Sequence, residues 1–172
     1  MFKEFVRGKT IVFIDASNIY HSQKTLEWRI DLQKLIELLH REVDFFSAYY
    51  YLAYDPENSA QRKFIDFLEI IGYQVRKKPI KFIKDDDDER GGYHKGNLDV
   101  DLVIDALHNR DLYESVILFS GDSDFESLIK YLKSFRKQCI VVSTKGHISI
   151  ELIKQAKFID LKKCREMLEL QK

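Results

Sequence analysis

The chain has 172 residues, with 28 basic and 28 acidic side chains, so its formal net charge is zero. This length suits one domain, and the 45% of apolar residues, seven glycines and two prolines suit a packed core rather than a disordered chain. The balanced charge excludes a broadly cationic nucleic-acid coat, so any nucleic-acid binding must depend on a local basic patch.

Sequence features that mark secretion or membrane insertion are absent. No apolar stretch approaches the roughly 20 residues that cross a bilayer, and the charged segment before Thr10 does not resemble a signal peptide. The two cysteines, Cys139 and Cys164, lie far apart without metal-ligand spacing, which is typical of buried, reduced thiols. We therefore expect a cytoplasmic protein that has no membrane partner and no organic cofactor.

Buried apolar runs alternate with helical periodicity along most of the chain. In chain order, the patterns predict a strand over 10–14, a helix capped by Asp31, a strand over 45–54, a helix ending near Gly72, an extended segment over 73–83 and a solvated acidic loop over 84–92. There follow a helix over 98–109, a strand over 115–119, a helix over 125–135, a strand over 138–143, a short helix near Ile150, a strand over 158–161 and a last helix to Leu170. Repeated strand–helix units predict an α/β fold around a mainly parallel central sheet.

Carboxylates follow two of the predicted strands. Asp15 ends the first strand, and Asp122 and Asp124 follow the strand over 115–119. Because the carboxyl ends of parallel strands meet at one edge of a sheet, we expect these three side chains to converge. Carboxylates in one pocket repel each other unless a cation is present, and hard oxygen ligands suit Mg²⁺ or Mn²⁺.

A purely structural explanation exists for part of this second motif. Ser123 and Glu126 match the Ser-x-x-Glu capping box of the following helix, and Asp124 would then complement the helix dipole. That alternative leaves Asp122 unexplained. It also does not explain the pair 120–121 (Ser-Gly), whose small side chains would let a ligand approach the backbone.

A fourth acidic ligand is predicted in the helix over 98–109. At about 100° per residue, Asp99 projects toward a flank that is predicted to face the sheet. Asp101 and Asp105 lie on the other side, where a solvated face is expected. Asp99 is therefore a better candidate ligand than Asp101.

Three separated segments carry a resemblance to a known family. In order they are 13–20 (FIDASNIY), 95–102 (KGNLDVDL) and 120–125 (SGDSDF). Together they resemble the NYN-domain family, a branch of the PIN-like metal-dependent ribonucleases. The resemblance spans about residues 10–160, and we expect one such domain over 1–172 with a C-terminal helix to 170.

The resemblance implies a Rossmann-like, three-layer α/β sandwich. It also implies site residues: the acidic metal-binding quartet would be Asp15, Asp99, Asp122 and Asp124, and Asn18 would be the accompanying polar residue. Ala16 stands where the family usually has glycine.

The activity implied is divalent-metal-dependent endonucleolytic hydrolysis of RNA, in single strands or loops. One or two Mg²⁺ or Mn²⁺ ions would be held by the quartet, which would be catalytic together with Asn18. The hydroxyls of Ser17 and Ser120 would orient water or a phosphate oxygen. PIN-like domains often pair, so a homodimer is expected by resemblance.

A local basic patch is the candidate site for holding substrate. Its members are candidate phosphate contacts: the cations Arg76, Lys77, Lys78, Lys81 and Lys84, with Arg62 and Lys63 upstream and Lys95 just before the acidic helix. The alternative is a charged edge strand that resists aggregation. For the nearby aromatic run over 49–54, strand alternation favours core packing over base stacking.

A second class of function is also compatible with the sequence. The chain would then be a non-catalytic module that binds RNA or a protein partner and retains the acidic site. Metal binding without cleavage of any RNA would favour this alternative, whereas turnover would favour the enzyme.

Overall fold

The computed structural model describes residues 1–84, 92–95 and 97–171, of which 81–84 and 92–95 are described by their backbone. In chain order the elements are β1 (Lys9–Asp15), α1 (Ala16–Leu26), α2 (Leu32–Glu42), β2 (Asp44–Tyr54), α3 (Ser59–Ile70), β3 (Gln74–Pro79), β4 (Lys81–Lys84), β5 (Gly92–Lys95), α4 (Asp99–His108), β6 (Ser115–Phe119), α5 (Glu126–Ser134), β7 (Gln138–Ser143), α6 (Ile150–Gln155), β8 (Lys157–Asp160) and α7 (Arg165–Leu168). Short 3₁₀ turns occupy Arg110–Leu112, Ser123–Phe125 and Leu161–Cys164. The acidic segment 85–89 lies outside the described residues.

The predicted fold class is confirmed. Six strands form one sheet in the order β3-β2-β1-β6-β7-β8, and every neighbouring pair is parallel. The strands β1 and β6 are at its centre, and all five residues of β6 are buried. Such continuous apolar runs are expected where helices cover both faces of a parallel sheet.

Helices pack on both faces and complete three layers. Ile19 of α1, Leu35 of α2 and Ile65 of α3 belong to one core cluster, together with Leu168 of α7. The other core cluster contains residues of α4, α5 and α6. Within the described part of the chain, no helix is both long and apolar enough to span a bilayer.

Several segments differ from their sequence-based predictions. Helix α1 was not predicted, since its buried side chains are limited to Ile19, Ser22 and Leu26 and make a weak apolar stripe. The extended segment over 73–83 is interrupted at Ile80, so β3 pairs with β2 in the main sheet while β4 pairs with β5 in a separate antiparallel hairpin. Strand β5 was not predicted either.

The segment before β1 contributes to the core despite its charges. Phe2 is fully buried, and its ring meets Phe119 at the end of β6 edge-on, with the ring centroids 6.3 Å apart. Its backbone N–H donates to the Glu42 carboxylate at 2.6 Å. The amino-terminal segment therefore closes the core beneath the end of a central strand.

Phe2→Ala should lower the free energy of unfolding by about 3 to 5 kcal/mol, because it leaves a cavity in a packed core. Urea unfolding measures this loss. Ile70→Ala is the control, since Ile70 is 82% exposed and its truncation should change stability by less than about 0.5 kcal/mol. Equal effects of the two substitutions would contradict the packing described for Phe2.

Candidate metal centre

The crevice between the exits of β1 and β6 is where this sheet favours ligand binding. The chain leaves β1 into α1, which packs in one core cluster, and after β6 it continues into α5, which packs in the other. The strand order thus reverses between β1 and β6, and ligands of open parallel sheets bind at such switch points. Ile14 pairs with Phe119, so Asp15 and Ser120 follow side by side.

Asp15 is held in a fixed orientation at this crevice. It is 8% exposed and caps α1. Its Oδ1 accepts from the backbone N–H groups of Ser17 (3.0 Å) and Asn18 (3.3 Å) and from the Ser17 hydroxyl (2.9 Å). Its Oδ2 accepts from the buried hydroxyl of Ser120 at 3.0 Å. Both carboxylate oxygens are therefore positioned before any ligand binds.

Three further carboxylates meet beside Asp15. Each of Asp99, Asp122 and Asp124 offers an oxygen, and these oxygens all lie within 4.8 Å of one another. Asp99 lies in the first turn of α4, whereas the other two follow β6. Asp15 is not part of this close triad, but it lines the same groove as Asp99 and Asp122. Three of the four predicted acids, Asp15, Asp99 and Asp122, therefore line one groove, and Asp124 adjoins it through its closeness to Asp99 and Asp122.

Burial and the neighbouring acids contribute to a raised pKa of Asp99. Burial raises the pKa of Asp99, a hydrogen bond with the Asn97 side chain partly offsets this, and the negative charges of Asp15, Asp122 and Asp124 raise the pKa further. The backbone N–H of Asp99 also donates to Asn97 Oδ1 at 2.7 Å. Asn97 therefore helps to fix the start of α4, a role that the sequence pattern did not indicate.

The fold supplies some positive potential to this cluster. Asp15 caps α1, Asp99 opens α4, and Asp122 caps the turn that leads into α5. A helix N-terminus stabilises a nearby anion by about 0.3 to 1 kcal/mol. These contributions offset part of the mutual repulsion, and a divalent cation would offset much more. The donor set of clustered carboxylate oxygens fits Mg²⁺ or Mn²⁺.

The Ser-x-x-Glu capping box, considered as a structural alternative for the motif after β6, does not form. Helix α5 begins at Glu126 without a side-chain cap, and Glu126 instead forms an ion pair with Lys130 at 2.9 Å. Asp122 takes the capping position, since its Oδ1 accepts from the backbone N–H of Asp124 at 3.0 Å. Asp122, rather than Asp124, is thus the acid with a local structural role.

Gly121 permits a close approach, but the approaching group belongs to the protein itself. A Cβ added at Gly121 would lie 1.8 Å from the His147 carbonyl oxygen and 2.8 Å from Ile148 Cα. The Gly121 carbonyl also accepts from the Ser149 N–H at 2.9 Å. The expectation that this glycine admits a ligand is therefore wrong, because the loop after β7 occupies that space.

Asn18 ties three strand exits together. Its Oδ1 accepts from the Gly121 N–H at 2.9 Å and from the Ser143 hydroxyl at 3.3 Å. These contacts join the start of α1 to the loop after β6 and to the end of β7. Asn18 is therefore a positioning residue in this structure, and its predicted catalytic role stays a prediction.

The predicted substrate contacts near Asp15 are engaged within the protein. The hydroxyls of Ser17 and Ser120 both donate to the Asp15 carboxylate, and Ser120 Oγ also accepts from the Asp122 N–H at 3.2 Å. They hold the carboxylate in place. Direct contact of either hydroxyl with water or phosphate stays a prediction.

Three cations of the predicted basic patch, all in β3, are paired with acids. Arg76 bonds to Asp105 at 2.8 Å, Lys77 bonds to Glu69 at 3.3 Å, and Lys78 bonds to Asp101. These pairs compensate much of the positive charge of β3. The side chains of Lys81 and Lys95 lie outside the described residues. Phosphate binding by this patch stays a prediction.

The far side of α4 is more ordered than its sequence indicated. The side chain of Asp105 is 15% exposed, and its Oδ2 accepts from the Tyr51 hydroxyl at 2.9 Å as well as from Arg76. The expectation of a solvated face at this position is therefore wrong. The carboxylate ties α4 to the strands beneath it.

The acids lie at one end of a large groove that the sequence did not predict. The groove has a volume of about 1400 Å³, and residues of α1 and α3 line it in addition to the acids. Tyr50 and Tyr51 are 6% and 3% exposed, as expected for core residues of the aromatic run. Tyr20 of α1, by contrast, is 57% exposed at the groove. The sequence signal that could have revealed this face of the groove is a helical spacing after a capping aspartate, Asp15. The residues with that spacing are Ala16, Tyr20, Gln23 and Glu27.

Comparison with known proteins reveals relatives over nearly the whole chain. The family model described as the NYN domain matches residues 9–162. The low amplitude and bright protein LabA of Synechococcus elongatus is 33% identical over 169 residues, covering 96% of this chain and 90% of that protein. A crystal structure of a protein of unknown function from Vibrio parahaemolyticus matches with a TM-score of 0.73 and 24% identity, covering 94% of this chain and 96% of that chain. This last likeness supports the fold.

Asp99→Asn should raise the melting temperature of the metal-free protein at neutral pH, because the amide removes a half-buried charge from the cluster. The raised pKa of the Asp99 carboxyl means that its charge destabilises the folded state as pH rises through that pKa. The advantage of the variant should therefore be small near pH 4 and larger near pH 7. Thermal unfolding with EDTA across this range measures it, and a variant that melts below the wild type at pH 7 would contradict the proposed repulsion.

Gly121→Ala should destabilise the protein by about 3 kcal/mol, because the new methyl group meets backbone that cannot move aside easily. Gly146→Ala is the matched control. Gly146 has a φ of +97° but open space around its added Cβ, so it should lose about 1 to 2 kcal/mol from backbone strain alone. Chemical unfolding of both variants compares the two losses, and a smaller loss at Gly121 would argue against the close packing of the two loops.

Proposed function

The chain belongs to the NYN domain family, and on that premise we propose that it is a divalent-metal-dependent ribonuclease that hydrolyses phosphodiester bonds inside single-stranded or looped RNA. NYN domains are generally nucleases, and domains of this PIN-like group typically use divalent metals. The observation that carries the proposal is the meeting of the carboxylate oxygens of Asp99, Asp122 and Asp124 within 4.8 Å of one another.

The acidic residues would hold the metal, and their neighbours would keep them in place. Asp99, Asp122 and Asp124 supply the close set of oxygens, and Asp15 lines the same groove. A bound Mg²⁺ or Mn²⁺ would supply Lewis-acid stabilisation of charge on the phosphate and would make water more acidic. This chemistry requires several carboxylates that would hold the metal, and it requires no side-chain nucleophile.

The protein's own groups contribute positioning. Ser17 and Ser120 orient Asp15, and Asn18 fixes the loop that carries Asp122 through its bond to Gly121. Fixed ligands avoid reorganisation when charge develops during the reaction. The adjoining groove, which is open to solvent at exposed side chains such as Tyr20, gives a polymer room to enter.

The placement of the acids also favours a second candidate, a non-catalytic RNA-binding module. Asp15, Asp99 and Asp122 lie at helix or turn N-termini, where acids are stabilising without any metal. In that case the protein would bind metal and RNA without turnover. Cleavage and metal binding, measured side by side, separate the two candidates.

Asp122→Asn should reduce Mn²⁺-dependent RNA cleavage by about 100-fold or more, because it removes a charged ligand worth several kcal/mol. Asparagine keeps an oxygen that can cap the turn, so the melting temperature should change little. The assay follows cleavage of linear and circularised RNA, since cutting the circle requires an internal cut. Asp111→Asn is the matched control, because the Asp111 side chain is 81% exposed and pairs with Arg110 outside the groove.

Full activity of Asp122→Asn would refute the proposed centre. Stabilisation by Mn²⁺ in a thermal melt, with no cleavage of RNA by the wild type, would instead favour the binding module.

A further inference from the structure

One face of α1 leads from the acidic centre along the groove. Ala16, Tyr20, Gln23 and Glu27 line the groove at successive helical turns, and Lys24 lines it beside them. The same helix begins at Asp15, which is its cap. Since each helical residue advances about 1.5 Å, Tyr20 is about 7 Å and Lys24 about 13 Å along the axis from Asp15. The first of these distances is roughly one nucleotide of an extended strand.

Tyr20 is an aromatic side chain without a place in the core. It is 57% exposed, whereas the nearby Tyr50 is 6% exposed. The Lys24 ammonium lies 4.4 Å from the centroid of the Tyr20 ring. An aromatic ring beside a cation is the combination with which proteins hold single-stranded nucleic acids, because the ring stacks on a base and the cation meets a phosphate.

Residues of α3 contribute further groups to the groove. Phe64 of α3 is 38% exposed and lines the groove together with Gln61. The side-chain oxygen of Gln61 accepts from the Asp55 N–H at 2.7 Å, so the side chain is held and its NH₂ group is a donor for a base edge. The groove thus presents a second aromatic surface and a hydrogen-bond donor in addition to the groups of α1.

The volume of the groove and the charges that line it indicate which class of ligand it can hold. The volume of about 1400 Å³ exceeds the range of roughly 300 to 1,000 Å³ that small-molecule pockets occupy. The acids at one end would repel a phosphate unless a divalent cation is bound, while further along the groove Lys24 and Arg29 supply two positive charges against the one negative charge of Glu27. This gradient suits a strand whose reacting phosphate meets the metal and whose next nucleotides follow α1.

We propose that the α1 wall is a binding track for single-stranded RNA, in which a base near the reacting phosphate stacks on Tyr20 and a neighbouring phosphate pairs with Lys24. The proposal rests on the proposed function, since it takes the reacting phosphate to lie at the acids. Tyr20 is a substrate-binding residue in this scheme. Stacking on its ring would favour an unstructured strand over a duplex, whose stacked bases cannot reach the ring.

The test measures binding in an Asp122→Asn background with Mn²⁺ present, so that cleavage does not interfere. Trp28, the chain's one tryptophan, lines the groove, and its fluorescence reports binding of a 12-nucleotide uridine-rich RNA. Tyr20→Ala should weaken binding by about 5- to 150-fold, the range for loss of one stacked base. Tyr20→Phe should retain the affinity, because phenylalanine keeps the stacking face.

Two controls separate stacking from general damage. Tyr131→Ala removes another exposed tyrosine, 42% exposed on α5 and outside the groove, and should not change the affinity. An abasic strand of the same length should bind with equal affinity whether or not the Tyr20→Ala substitution is present, since it has no base to stack. Lys24→Gln should reduce the magnitude of the slope of log affinity against log salt concentration by about 1, the change expected when one phosphate contact is lost.

Unchanged RNA affinity in Tyr20→Ala would overturn the track, even where Asp122→Asn has already established the nuclease centre. If Tyr20→Ala weakened binding of the abasic strand as much as binding of the RNA, the stacking role of Tyr20 would be refuted. If the wild type cleaves no RNA and yet Tyr20→Ala loses RNA binding, the track stands and the proposed function fails.

Discussion

Mutual repulsion among four carboxylates is the constraint on which the architecture of this site depends. Asp99, Asp122 and Asp124 place oxygens within 4.8 Å of one another, and Asp15 lies in the same groove. Burial and these charges raise the pKa of Asp99. Such a cluster persists because the surrounding fold holds the acids together against their mutual repulsion.

The fold offsets this repulsion with helix N-termini that are in place before any metal binds. The strand order reverses between β1 and β6, so that α1 and the turn before α5 begin at the crevice. Helix α4 follows the separate β4–β5 hairpin, and its first residue, Asp99, meets the acids after β6. The N-termini of these elements supply backbone donors and positive potential to the acids. The starts of these helices and of this turn therefore hold the acids in place and offset part of their negative charge.

The loops around the acids are fixed by contacts that have little to do with the acids' charge. Asn18 bonds to Gly121 and Ser143, and Gly121 packs directly against the backbone at His147. A change at any of these points would shift Asp122 relative to Asp15. Rigid support of this kind is what a site needs to hold ligands at a fixed geometry.

The local sequence determined much of the fold and the identity of the acids. Buried runs such as 115–119 and the helical spacing after Asp31 predicted their elements because apolar periodicity depends on near neighbours in the chain. The positions of Asp15, Asp122 and Asp99 after strands or at a helix start likewise marked them as candidate ligands.

Tertiary structure decided what local patterns could not express. Helix α1 has a weak apolar stripe but a strong cap, so its periodicity did not reveal it, and its groove face with Tyr20 was missed with it. The capping role of Asp122, the ion pairs that engage β3 and the contact of Gly121 with His147 all join residues whose partners are chosen by packing. The sequence by itself determined which residues could bind a metal, and the three-dimensional fold decided which of them meet, because that depends on the order of strands in the sheet rather than on the order of residues in the chain.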